Sequence, residues 1–236
     1  MKQDRKTWRV APVLVLLVAT LTACTTAPRK GIDTFNRGDG KLSILLMPVD
    51  IELSELTAGG VQEPKADWTA SAEINVKAAI TEIFKEREAA LISYTPATSD
   101  SETRRSDVQL VKLHSVVGAT ILMSELLVPL PTKTEKFEWT LGKTVQKLQD
   151  KTDADYALFV FMRDSYASAG RGAVIAIGIL LGVAIPGGQQ VGYASLVDLK
   201  SGDIVWFNRL TRGDGDLRTE EAARETVKLL FADLPK

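Results

Sequence analysis

The segment that most constrains the fold is a pair of strand-like runs in the last third of the chain. Residues 191–199 (VGYASLVDL) and 203–211 (DIVWFNRLT) are rich in β-branched and aromatic residues, and Lys200, Ser201 and Gly202 lie between them. Ser-Gly supplies the turn, so the two runs predict a hairpin. Residues 153–166 (DADYALFVFMRDSY) have a fully apolar middle. A strand of that kind must be covered on both faces, so helices have to lie on either side of its sheet.

The rest of the chain supplies them. Residues 42–49 (LSILLMPV) read as a buried opening strand closed by Pro48, and 54–67 as a loop. A helix is expected from about Thr69 to Ala90, capped by Thr69 or Asp67, with Val76, Ile80, Ile83 and Phe84 on its apolar stripe. LISY at 91–94 reads as a short strand. Ser106 caps an expected helix over 107–128, stopped by Pro129 and Pro131. A third helix begins near Thr140 and carries Leu141, Val145 and Leu148. Thr219 caps a last one, with Glu220 and Glu221 at its positive start and Ala223, Val227, Leu230 and Phe231 facing inward. The order β-α-β-α-α-β-β-β-α predicts an α/β (α+β) fold, a mixed sheet of about five strands flanked by helices, in one three-layer-like domain over 42–236.

The N-terminus is of another kind. Lys2, Arg5, Lys6 and Arg9 precede an apolar segment over 10–19, and small residues lead to Cys24, the one cysteine of the chain. A basic start, a short apolar run and small residues form a signal peptide, and the run falls short of the ~20 apolar residues a bilayer span needs. Leu21-Thr22-Ala23-Cys24 resembles the lipobox of bacterial lipoproteins. That resemblance implies cleavage after residue 23, a diacylglycerol on the Cys24 sulfur and an N-acyl chain such as palmitate on its amine. Thr25, where an Asp often marks inner-membrane retention, implies an outer-membrane address facing the periplasm. Acyl chains of this number anchor durably. Residues 24–41 are rich in Gly, Thr and charge and read as a flexible tether.

Loss of residues 1–23 leaves 25 basic and 29 acidic residues, a net charge of −4. Such a surface offers no electrostatic case for nucleic acid. The hairpin, the strand ending at Pro48 and the helix at Thr219, on a lipidated N-terminus, together resemble the periplasmic domains of the CsgG secretion lipoproteins and the LpoB-type synthase activators. Asp198, Ser201, Gly202, Ile204, Val205 and Trp206 fit the hairpin pattern of that group. Its members do different jobs, so the resemblance implies a fold and an envelope setting.

Chemistry is sparse. His114 is the one histidine, and neither a triad nor a zinc site can be assembled around it. Gly192 to Leu196 starts like a nucleophile elbow but lacks the closing glycine. Gly142-Lys143-Thr144 ends like a P-loop, yet Phe137 stands where the first glycine belongs. Asp214 and Asp216 could face a hard cation but read better as a surface turn. The expectation is no catalytic residue, no metal and no cofactor beyond the acyl groups on Cys24.

One segment stands apart. Residues 170–188 form a Gly-bracketed apolar insert between two strands. It is either a buried crossover or an exposed contact element made of Ala173, Val174, Ile175, Ile177, Gly178, Ile179, Leu180, Leu181, Gly182, Val183 and Ile185. Gly178 and Gly182, four apart, would give a helix a Gly-x-x-x-Gly face. The functional expectation is a non-enzymatic envelope interaction or assembly module. It meets the bilayer through Cys24, and an envelope protein, a second copy or the nearby lipid surface through the insert. A subunit of a CsgG-like export channel and an envelope hydrolase are the alternatives.

Overall fold

The computed structural model describes residues 29–35, 42–95, 101–133, 135–213 and 215–235. The leader at 1–23, Cys24 and most of the tether lie outside the described residues. Among the described residues eight strands form one mixed sheet: β1 (Arg29–Lys30), β2 (Ser43–Leu46), β3 (Asp50–Leu56), β4 (Gln62–Pro64), β5 (Ala90–Ser93), β6 (Tyr156–Ala167), β7 (Gln190–Asp198) and β8 (Ile204–Arg212). Five α-helices accompany them among the described residues: α1 (Ala66–Glu86), α2 (Ser101–Leu126), α3 (Gln146–Thr152), α4 (Ala169–Leu180) and α5 (Glu220–Leu230). The mixed α/β architecture is the expected one, with more strands than the sequence suggested.

β6 is the spine of the sheet. One edge pairs antiparallel with β7, from Tyr156↔Asp198 to Asp164↔Gln190. Its other edge pairs in parallel with β2 at Tyr156–Leu158 and with β3 at Phe161–Ala167. β2 and β3 are thus two pieces of one course, broken at Met47-Pro48-Val49, and proline lacks the N–H a continuous ladder would need. β5 lies parallel on β2, β8 antiparallel on β7, and β1 antiparallel on β8.

The apolar middle of β6 has the predicted reason. Tyr156, Leu158, Val160 and Met162 enter the core under α1 and α5, and Ala157, Phe159 and Phe161 enter the one under α2 and α3. Burying an aliphatic or aromatic side chain contributes about 1.5–3 kcal/mol, so a strand that fills two cores holds three layers together. α2 docks through Asp107, Leu110, His114, Gly118 and Ile121, spaced three and four apart along one side.

Several boundaries differ from expectation. β3 occupies residues left unassigned or read as loop, because Ile51, Leu53 and Leu56 alternate with exposed or half-exposed acids. α1 starts at Ala66 with Lys65 as its cap residue. The hydroxyl of Thr69, one of the two expected caps, accepts the Leu53 N–H at 3.0 Å instead, tying α1 to β3, and Asp67, the other, lies in the first turn. α2 begins at Ser101, which puts Ser106 inside the helix. Thr140 forms an isolated bridge with Asp203, and the third helix starts only after the turn at Lys143–Val145, with Leu141, Val145 and Leu148 buried as expected. Thr219 holds the cap position of α5, but its hydroxyl donates to the Asp216 carbonyl at 3.2 Å.

Candidate functional site

The insert leaves β6 at Ala167 and returns at Gln190, at one end of the sheet. Ser168 caps α4, its hydroxyl accepting the Arg171 N–H at 3.1 Å. Arg171 then clamps the segment: its guanidinium donates to the Pro186 carbonyl at 3.1 and 2.9 Å, and to the Ala58 carbonyl of the β3–β4 turn at 3.5 Å. No charged residue follows until after Gln189.

α4 closes differently from the expected glycine face. Val183 N–H donates to the Gly178 carbonyl at 2.8 Å and Gly182 N–H to the Ile179 carbonyl at 3.1 Å, with Gly182 at φ 72°. These two bonds are a Schellman stop, in which the left-handed residue ends a helix. Gly182 therefore lies beyond the last turn. Gly178 is buried against the segment's own return, where an added Cβ would fall 2.6 Å from Ile185. A Gly-x-x-x-Gly packing face is not formed.

The remaining side chains stay largely uncovered. Ile179 is 69% exposed, Leu180 85% and Leu181 74%, with Ala173, Ile177 and Val183 also exposed. Val174, Ile175 and Ile185 are half-buried against the segment's base. Val61, from the neighbouring β3–β4 hairpin, is exposed at the same end of the sheet. A second apolar strip runs along the outer face of α2, where Leu113, Val116 and Met123 share one side and are exposed, and exposed Leu127 follows just past the helix end. Sequence reasoning passed over this strip because the same helix also carries the docking residues, and an apolar count cannot tell inner from outer.

The polar groups near these surfaces serve the architecture. His114 Nε2 lies 2.8 Å from Ser195 Oγ, and its ring stacks on Phe159 at 4.9 Å between centroids. His114 is 1% exposed and Ser195 fully buried, so the pair joins α2 to β7 inside the core. Burial pushes the imidazole pKa down to about 3, which keeps it neutral. At the insert end, the Asp164 carboxylate accepts from the Tyr166 hydroxyl and from Gln190 Nε2, and Gln190 Oε1 accepts from Thr226 of α5 at 3.0 Å. Burial raises the Asp164 pKa against those donors. Arg218 stacks over Trp68 and Tyr166, with centroid distances of 4.5 and 4.0 Å.

Arg218 also takes both carboxylate oxygens of Asp216, at 2.8 and 2.7 Å, and lowers the pKa of that acid. Asp216 is thereby committed to a cation the chain already carries; Asp214 lies outside the described residues. Gly142, at φ 76°, leads into a short turn at Lys143–Val145 that buries Val145. Among the described residues, no cluster of three potential metal ligands occurs, and every buried side-chain nitrogen or oxygen has a hydrogen-bond partner. No described helix is long and apolar enough to cross a membrane.

No protein-family model matches the chain, and no curated protein does. Among solved structures it is similar to the lipoprotein GNA1162 from Neisseria meningitidis, at 14% identity and a TM-score of 0.32, over 73% of this chain and 81% of that one. It is also similar to the PelC dodecamer from Paraburkholderia phytofirmans, at 11% identity and a TM-score of 0.37, over 89% and 99%. The LpoB C-terminal domain from Salmonella enterica matches at 14% identity and a TM-score of 0.27, over 74% and 87%. At these scores the likeness carries nothing about activity or partners.

Proposed function

We propose that this chain is a bacterial outer-membrane lipoprotein, held through acylated Cys24, whose periplasmic domain is a non-enzymatic interaction or envelope-assembly module. The observation that carries this reading is the apolar surface the fold leaves uncovered, on α4 with its return loop and on the outer face of α2. Contiguous exposed apolar surface on a domain that otherwise fills two cores supports an interaction role. The LTAC motif supports the anchor. The burial of His114 and Ser195 supports a scaffolding use for the pair, and so speaks for a module over a hydrolase.

The test has two parts. Intact mass of the membrane-extracted protein should show a chain beginning at Cys24 with its acyl groups. The particle mass in detergent should exceed that of one chain and fall to it in a Val116→Glu/Met123→Glu variant. A bare Cys24 on a chain still carrying residues 1–23 would refute the anchor. A monomer unaffected by the double substitution would refute the contact role of α2. A ring of many copies would shift the reading toward a channel subunit.

A further inference from the structure

We infer that α4 and its return loop are a lipid-contacting element, seated in the leaflet that receives the acyl chains of Cys24. The inference rests on the reading of Cys24 as lipidated, and it assigns the two apolar surfaces to different occupants.

Sheet direction is the first argument. β1 lies antiparallel on β8, with Arg29 opposite Phe207 and Lys30 opposite Trp206. At Arg29 the N-terminal end of β1 therefore faces the Asn208–Arg212 end of β8. Arg212 pairs with Gln190, and Gln190 with Asp164, so this is the end of the sheet from which α4 emerges. β1 thus opens toward the pole that carries the uncovered apolar segment.

Reach is the second argument. Five peptide steps separate Cys24 from Arg29, and a fully extended chain of that length covers at most about 18 Å. Sideways, β1 and β6 are separated by β8 and β7, or three strand spacings of about 4.8 Å each. Phe207, opposite Arg29, stands five residues or about 17 Å from Arg212, so a path of residues 24–28 along β8 would bring the acylated sulfur level with this pole. So short a tether holds the domain against the bilayer surface, and β1 opens toward this pole.

Chemistry is the third. From Gly172 to Gln189 there is no charged side chain, and the one cation at the base, Arg171, is spent on the carbonyls of Pro186 and Ala58. The exposed residues Ile177, Ile179, Leu180, Leu181 and Val183 thus meet no ionised group of their own segment. The opposite pole is polar: the β7–β8 turn carries Lys200 and Ser201 in solvent, with Asp153, Asp155 and Asp203 nearby. A charge-free apolar tip suits burial at the boundary of headgroups and acyl chains. Protein partners are left the outer face of α2.

Site-directed quenching tests this in the full acylated protein. Cys24, the single native cysteine, is blocked by its own lipid, so Leu180→Cys gives one labelling site at a position too exposed to disturb folding. Lys200→Cys serves as the control at the far pole. Both variants, labelled with a polarity-sensitive fluorophore, are reconstituted in phosphatidylethanolamine–phosphatidylglycerol vesicles with and without acyl-chain nitroxide lipid. The probe at 180 should lose most of its emission to the nitroxide while the probe at 200 keeps its own. Equal response at the two positions overturns the inference. So does a blue-shifted but unquenched probe at 180, since a second copy or another protein then covers α4. Intact mass of the same sample separates the premises. Acylated Cys24 without quenching sinks the α4 assignment alone, whereas unmodified Cys24 on protein that fails to bind the vesicles sinks both.

Discussion

α4 and α5 are nearly equal in length and differ in almost everything else. α5 buries Ala223, Thr226, Val227 and Leu230 along one side and turns Glu220, Glu221, Arg224, Glu225 and Lys228 outward. Glu220 and Glu221 sit in the first turn and Lys228 in the last, as the helix dipole favours. Leu230 offers its carbonyl to Asn208 Nδ2 at 2.8 Å, and Arg224 meets Glu82 of α1 at 3.0 Å. α4 is the more apolar of the two, yet Gly178 alone is buried. A helix docks when one face differs from the other, because the sheet can cover only one side. Uniform apolarity leaves α4 with more surface than the fold can hide.

Substitutions should pull these two helices apart. Leu230→Ala, at a fully buried position, should cost about 2–5 kcal/mol in denaturant unfolding, the range for deleting core methylenes. A loss below about 1 kcal/mol would mean that α5 is no better docked than α4. Acid sharpens the contrast through α2. Folded His114 titrates near 3 and unfolded His near 6.5, so its contribution is present above pH 6.5 and lost as the pH falls between those values. Each unit in that window should remove up to about 1.4 kcal/mol, followed by urea melts in which His114→Gln flattens the slope. Asp164, with its pKa raised by burial, acts with the opposite sign and partly offsets the loss at the acid end.

Gly178→Leu should displace the return loop, where Ile185 and the Val183 carbonyl lie within 2.6–2.9 Å of the new Cβ. Circular dichroism should stay native, with a stability loss of about 1 kcal/mol, while proteolysis between 181 and 189 speeds up. Leu180→Ser should change stability by less than about 0.5 kcal/mol and be felt only where α4 meets its occupant, read as weaker vesicle binding. A global loss of stability there would show α4 to be core after all.

How far the sequence could be read follows the same logic. The β7–β8 hairpin and α5 were legible because turn residues and the alternation of charged and apolar positions state both element and orientation. β6 was legible because a strand with no polar face has to be covered twice. β3 was missed because its buried Ile51, Leu53 and Leu56 are diluted by Glu52, Ser54 and Glu55, so its place beside β6 is a matter of pairing and not of composition. The exposure of α4 was undecidable, since an apolar run looks the same covered or bare. The joining of His114 to Ser195, 81 residues apart, leaves no local trace.

The close seating of α2 has a mechanical consequence. A Cβ on Gly118 would fall 2.1 Å from the Tyr193 ring, so the tyrosine fills a notch that no other position on that helix provides. The notch works as a detent: α2 cannot creep along its axis or roll without driving a larger side chain into the ring. Val116 and Met123 are consequently displayed at fixed coordinates relative to the sheet. Any protein that reads them meets a rigid template and forgoes the ordering cost that a loose helix would impose.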